Sequence, residues 1–304
     1  MFVKVVFRKV LIYMRPPHYT NKPTAIPLHY CSGLSNFGDE LSPYLIQRIT
    51  GKPVTPTSEP FGLYSIGSIL DWDVMHSNCH VWGSGTLTSN SLSLCPHLFP
   101  LSRSFKTILR RLRTNNPLEA NIYAVRGPLT RQQILNIGGK CPETFGDPAI
   151  LLPFYFNPPK QPTHSVGMVL HHSQEDLKNL KRIKECGIFP ISIHCNGEKA
   201  IESFISNLCQ CEVIFSTSLH GLIVAQAYGI KAQWITLKNK PLHRDATHKF
   251  MDYFLGVGAP IQKPIVIDLQ EESLKSLRRI IPKEFTICEQ VKTKLLARFP
   301  DEFL

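Results

Sequence analysis

Short apolar runs alternate along this chain with stretches whose apolar residues recur every three or four positions. The short runs predict strands over 25–30, 64–69, 80–82, 122–125, 149–152, 166–170, 189–193, 213–215, 233–237 and 265–268. The longer periodic stretches predict helices over 39–50, 129–137, 175–186, 198–210, 219–228, 246–255 and 271–281. Such alternation implies parallel sheets with helices on both faces. The segment 156–162, FNPPKQP, has three prolines in seven residues and reads as a linker. It divides the chain into residues 1–155, including a basic extension over 1–24, and residues 163–304. The expected fold class is therefore α/β, with two Rossmann-like doubly wound domains facing a cleft. The helices after Glu271 are expected to pack back on one of them.

The most telling stretch is Ser216-Thr217-Ser218-Leu219-His220-Gly221, between the apolar run 213–215 and a helical pattern that Gly229 closes. A loop rich in hydroxyls leads into a helix start, where free N–H groups and the helix dipole favour an anion. His220 would stand beside that anion as proton donor or acceptor, or would be a structural histidine in a capped helix.

Four further motifs fall at predicted strand ends. In 35–43, SNFGDELSP, Asn36 or Asp39 can cap the following helix, and Asp39 could take a proton from a sugar hydroxyl, with Glu40 beside it. Gly83, Ser84 and Gly85 would let a ligand approach the backbone closely, although no third glycine completes a dinucleotide fingerprint. Arg126, before the helix-starting Pro128, could grip a carboxylate or phosphate through two parallel hydrogen bonds. In Gly146-Asp147-Pro148 the expectation is a structural turn, with Asp147 available to hold Arg126 or a neighbour. His171 and His172 follow the run 166–170 and could line the same cleft. Adjacent strand residues point apart, so joint metal ligation by this pair is not expected.

Composition narrows the partners. The formal charge of +11 favours anionic ones. The densest basic cluster is Arg103, Lys106, Arg110, Arg111 and Arg113, spaced among apolar residues so that it could touch an anionic membrane surface. No nucleic-acid module is visible. No apolar run reaches the ~18–20 residues that cross a bilayer, and the N-terminal stretch lacks a signal-peptide cleavage pattern. Nine cysteines without a paired framework or a CxxC point to a reduced, cytoplasmic setting and to no metal site.

Taken in order, NFGDELSPYLI, GSIL, VWGSG, AVRGPLTR, GDPAILLP and SLHGLIVAQAYGI resemble the polysaccharide pyruvyl transferase family. KFMDYFLGVG, residues 249–258, resembles its exopolysaccharide branch. The resemblance implies a fold like that of the GT-B glycosyltransferases. It also implies transfer of a pyruvyl group from phosphoenolpyruvate to two hydroxyls of a sugar, as a cyclic ketal, with no cofactor and no metal. The acceptor would be a polysaccharide or its lipid-linked precursor, met in the cytoplasm or at the inner face of its membrane. Many members carry Arg where this chain has Ser218, so another cation or the loop itself must hold the phosphate. On this reading His220 and Asp39 are catalytic. Arg126, Ser216, Thr217, Ser218, Leu219 and Gly221 hold phosphoenolpyruvate. Asn36, Glu40, Gly83, Ser84, Gly85, His171 and His172 line the acceptor side. Two alternatives stay open from sequence: a nucleotide-sugar glycosyltransferase of the same fold, and a non-catalytic protein that binds anionic glycans.

Overall fold

The structure is a computed structural model that describes residues 24–31, 33, 35–58, 61–75, 77–92, 118–242 and 245–304. The basic cluster 103–113 and residues 1–23 of the extension lie outside these. Strands β1 (Ile26–His29), β2 (Val54–Pro56), β3 (Gly62–Tyr64), β4 (Cys79–Trp82) and β5 (Asn121–Ala124) form one parallel sheet in the order β2-β1-β3-β4-β5. Strands β6 (His164–Val169), β7 (Phe189–Pro190), β8 (Cys211–Ser216), β9 (Lys231–Leu237) and β10 (Ile265–Ile267) form a second, in the order β10-β9-β8-β6-β7. Counted from its own first strand, each sheet has the order 2-1-3-4-5 of a doubly wound fold. The switch points, where such sheets bind ligands, fall between β1 and β3 and between β6 and β8.

Helices between the strands of the described residues are α1 (Phe37–Thr50), the short α2 (Trp72–Met75), α3 (Pro128–Asn136), α4 (Leu177–Glu185), α5 (Glu198–Cys209), α6 (Leu219–Ala227) and α7 (Ala246–Val257), and α8 (Glu271–Leu277) comes after β10. A further helix, α9 (Glu289–Leu296), follows. The expected strand over 149–152 is instead a 3-10 helix, Pro148–Phe154. Pro148 and Pro153 have no N–H for a ladder, and Asp147 Oδ1 accepts from Ala149 N and turns the chain into the helix. The edge strand β2 escapes the sequence reading because three residues ending in proline show no alternation.

All ten strands fall on one side or the other of 156–162, yet the halves share one hydrophobic cluster. It runs from Ile26, Phe37 and Leu45 through Ala149 and Leu152 to Ile214, Leu222 and Phe254. Phe37 stacks on Phe204, Tyr44 Oη donates to Glu202, and Arg48 pairs with Glu198 and Glu202, so α1 lies on α5. The C-terminal region returns to the first sheet: Trp82 Nε1 donates to Leu295 O at 2.9 Å, and Tyr123 Oη to Glu302 at 2.8 Å. Helix α7, which the chain reaches after β9, lies against α3 of the first half. Among the described residues no helix is long and apolar enough to cross a membrane.

Candidate active site

The two switch points meet. After β1 the chain bridges to the second half: Asn36 pairs with His194, Phe37 N donates to Ile193 O and Cys195 N donates to Ser35 O. This sets the first turn of α1 against the first turn of α6. Gly38 is the point of contact, because a Cβ built on it would lie 2.2 Å from His220 Nδ1. Only a glycine lets the imidazole sit there.

The other edge of the ring faces Asp147. Residues 144–146 run beside Val125, extend the first sheet and deliver Asp147 at its C-terminal edge. The carboxylate Oδ2 stands 3.5 Å from His220 Nε2, within ion-pair distance, and both atoms are buried without a hydrogen-bond partner among the described residues. Of the two alternatives for Asp147, Arg126 or a neighbour, the first does not hold: Arg126 is bonded elsewhere and Asp147 faces His220. A carboxylate on one ring nitrogen leaves the other, Nδ1, to exchange protons at the seam. His220 itself is 15% exposed.

Lys249, on α7, is the cation the sequence did not single out. It lies within electrostatic reach of Asp39, Arg126, His171 and His172. Burial, reinforced by Arg126, lowers its pKa to about 8 against the pull of Asp39. Burial, with Lys249, His172 and His220, holds His171 down to about 3, so it is neutral at ordinary pH. His172 is lowered mainly by burial, with Asp39 opposing. Three histidines and a lysine thus crowd one place, with Asp39 as the acidic counterweight. His171 and His172 are held toward the neutral form, so the positive charge beside Asp39 comes from Lys249 rather than from the histidine pair. The only sequence signal for Lys249 was its position at the head of KFMDYFLGVG.

The histidine pair also departs from expectation. His171 and His172 lie beyond the end of β6, so strand alternation does not apply, and their rings stand 4.1 Å apart. Among the described residues no group of three or more His, Cys, Asp or Glu is placed to hold a metal.

Asn36 makes no side-chain cap; its amide donates to Asp39 Oδ2 at 2.7 Å and orients that carboxylate. Glu40, half-buried beside Asp39, is raised by burial and by that neighbour. Both acids stay on the seam.

Several other expectations are corrected. Arg126 is 0% exposed and all three guanidinium nitrogens have partners. Nε donates to Asp252 Oδ2 at 3.1 Å, Nη1 to Ser68 Oγ at 2.5 Å and Nη2 to Thr86 O at 2.6 Å. A side chain sealed and bonded in this way does not offer a fork to a substrate. Gly83, Ser84 and Gly85 are buried. Gly83 packs on Pro148, Ser84 Oγ donates to Gly67 O, and a Cβ on Gly85 would meet Arg126 Cζ at 2.4 Å. These small residues admit protein side chains rather than a ligand. Ser216 and Thr217 are 0% exposed with internal bonds: Ser216 Oγ to Ser218 O, and Thr217 Oγ1 to Gln174 Oε1 while accepting from His171 N. They brace the loop. Ser218 is the N-cap residue of α6 but makes no side-chain capping bond. Leu219 anchors the helix start in the core, and Gly221 packs on Ser216 Oγ. The first-turn N–H groups of α6 are the loop's remaining means of holding an anion.

No curated protein matches the chain. The family model "Polysaccharide pyruvyl transferase" matches residues 79–239, just over half of the sequence. The match takes in β4, Arg126, Asp147, the histidine pair and the whole of the His220 loop. The chain belongs to the polysaccharide pyruvyl transferase family.

Proposed function

We propose that the protein transfers the pyruvyl group of phosphoenolpyruvate to two hydroxyls of a sugar residue, forming a cyclic ketal on a polysaccharide or its lipid-linked precursor. One observation carries this reading. A histidine facing a buried carboxylate sits where two switch points meet, with Lys249 and Asp39 within electrostatic reach of each other and of the adjacent His172. A donor with a carboxylate and a phosphate needs cations and a helix N-terminus. Lys249 and the first turn of α6 supply them.

The chemistry then divides among few groups. Asp39 takes the proton of the first hydroxyl as its oxygen bonds to the central carbon of the enol phosphate. Protonated His220 gives a proton to the methylene carbon, which becomes the methyl group. The carbon–oxygen bond to phosphate breaks, and the phosphate takes the proton from Asp39. The second hydroxyl attacks and His220 recovers its proton. Protons balance, and both groups return to their starting states. Asp147 keeps Nε2–H oriented throughout, so that Nδ1 makes the exchange.

The test is incubation with an acceptor glycan and phosphoenolpyruvate, or a panel of nucleotide sugars. Phosphate release with the mass gain of a pyruvate ketal is the expected result. Release of a nucleoside diphosphate would replace the reading with glycosyl transfer, and binding without turnover would replace it with glycan recognition.

A further inference from the structure

The Arg126–Asp252 pair is buried and lies between α3 and the helix that carries Lys249. Asp252 stands three residues after Lys249, about one turn along α7. Its carboxylate accepts from Leu129 N at 2.9 Å, Thr130 N at 3.0 Å, Thr130 Oγ1 at 2.6 Å and Arg126 Nε at 3.1 Å. It therefore caps α3 from outside that helix, where Gly127, the N-cap residue, has no side chain to do so. Contact along the rest of the seam is equally close: a Cβ on Gly256 would meet Arg126 O at 2.2 Å. One helix is thus pinned to the end of β5 by a charged lock at one point and a glycine contact a turn further on.

We propose that Arg126 and Asp252 are positioning residues: they fix Lys249 against the donor site and set the electrostatic field in which it binds an anion, without touching the substrate. This rests on the reading of Lys249 as the donor cation. Arg126 lowers the proton affinity of Lys249, and the buried pairing with Asp252 fixes where that charge stands. Among the described residues, the charged and titratable groups that act on Lys249 or that it acts on are Asp39 from α1, Arg126 from just after β5, and His171 and His172 from the loop after β6.

The pH profile of kcat/KM for phosphoenolpyruvate separates this from a merely structural role, because it reports the titration of the free enzyme. Measured from pH 7 upward, beyond the last titration of the donor phosphate, the wild type should lose activity as Lys249 deprotonates near pH 8. Lys249→Met should remove the Lys249 contribution, so that any limb left by His220 no longer responds to changes at Arg126 and Asp252. Asp252→Asn leaves Arg126 uncompensated and should move the limb to lower pH. Arg126→Gln combined with Asp252→Asn removes the charge that lowers Lys249 together with its opposing partner, and should move the limb to higher pH by less than the roughly one unit expected for a single buried charge. Arg126→Lys keeps the charge but not the three-point lock, and serves if the amide variants do not fold. It should raise KM for phosphoenolpyruvate about tenfold or more at pH 7 and leave KM for the acceptor and the limb in place. Shifts by the amide variants that persist in a Lys249→Met background, equal shifts in both amide variants, or an unchanged donor KM in Arg126→Lys overturns the proposal. A wild type that incorporates no pyruvate from phosphoenolpyruvate would sink the proposed function instead, and is seen before any variant is made.

Discussion

Gly38→Ala is the sharpest test of the site. Gly38 lies inside the first turn of α1 at ordinary helical angles, so alanine is conformationally welcome and would by itself favour the helix by about 0.8–1 kcal/mol. The obstacle is the neighbour. The new Cβ would lie 2.2 Å from His220 Nδ1, 2.9 Å from Cε1 and 3.0 Å from Cγ. Unstrained heavy-atom contacts lie near ~3.5 Å, so the ring must retreat by roughly 1 Å or more. Behind it stands Asp147 Oδ2 at 3.5 Å from Nε2, which leaves little room. Forcing a methyl into such a place costs about 1–3 kcal/mol, and a 1 Å displacement of a reacting group costs roughly a hundredfold in rate. A double-mutant cycle isolates the contact. Denaturant unfolding of wild type, Gly38→Ala, His220→Ala and the double variant should show Gly38→Ala destabilising with the histidine present. Without it, the same change should be neutral or stabilising, with a coupling of about 1 kcal/mol or more. Turnover of Gly38→Ala should fall by about two orders of magnitude. An equal cost in both backgrounds, or full turnover in the single variant, would refute the placement of His220 against α1.

Three further outcomes are expected. His220→Ala should abolish turnover while circular dichroism stays native, and Asp147→Asn, which keeps the acceptor to Ala149 N, should lower kcat more than thermal stability; near-normal phosphate release in either would leave the pair structural. Asp39→Asn should reduce kcat with an unchanged melting temperature, since no helix cap depends on the Asn36–Asp39 contact beyond the amide bond itself; undiminished kcat would remove Asp39 from the chemistry. His171 is neutral when folded down to about pH 3, whereas an unfolded histidine takes up a proton near 6.5. The unfolded chain therefore binds more protons in that window, and stability should fall as pH drops from about 6.5 toward 3. His171→Gln should flatten the dependence of melting temperature on pH there, and an unchanged slope would show that other groups dominate.

The alternation of apolar runs and helical periods was enough to determine an α/β chain with parallel strands, because each strand must be apolar on both faces and each helix on one. The break at 156–162 was legible for a local reason, three prolines. The motif order carried the family, and it put His220 and Asp39 at loops where strands end. What the sequence could not determine is who meets whom. Arg126 reads as an anion fork because its chemistry is bidentate, and only the fold puts Asp252, 126 positions later, against it. Asp147 reads as a turn residue, and does cap a turn through Oδ1, while its second oxygen acquires a role only when the 3-10 helix packs on α6. Ser216 and Thr217 look like phosphate hydroxyls until the ladder between β6 and β8 buries them. Lys249 is one of many lysines by composition, and a lysine's proton affinity is set by its surroundings. The repeated 2-1-3-4-5 order is likewise invisible in a sequence without repeats, since strand order depends on non-local pairing. Local pattern determines elements and their polarity; burial, charge compensation and the meeting of the two switch points are sums over distant residues, and only the tertiary structure decided them.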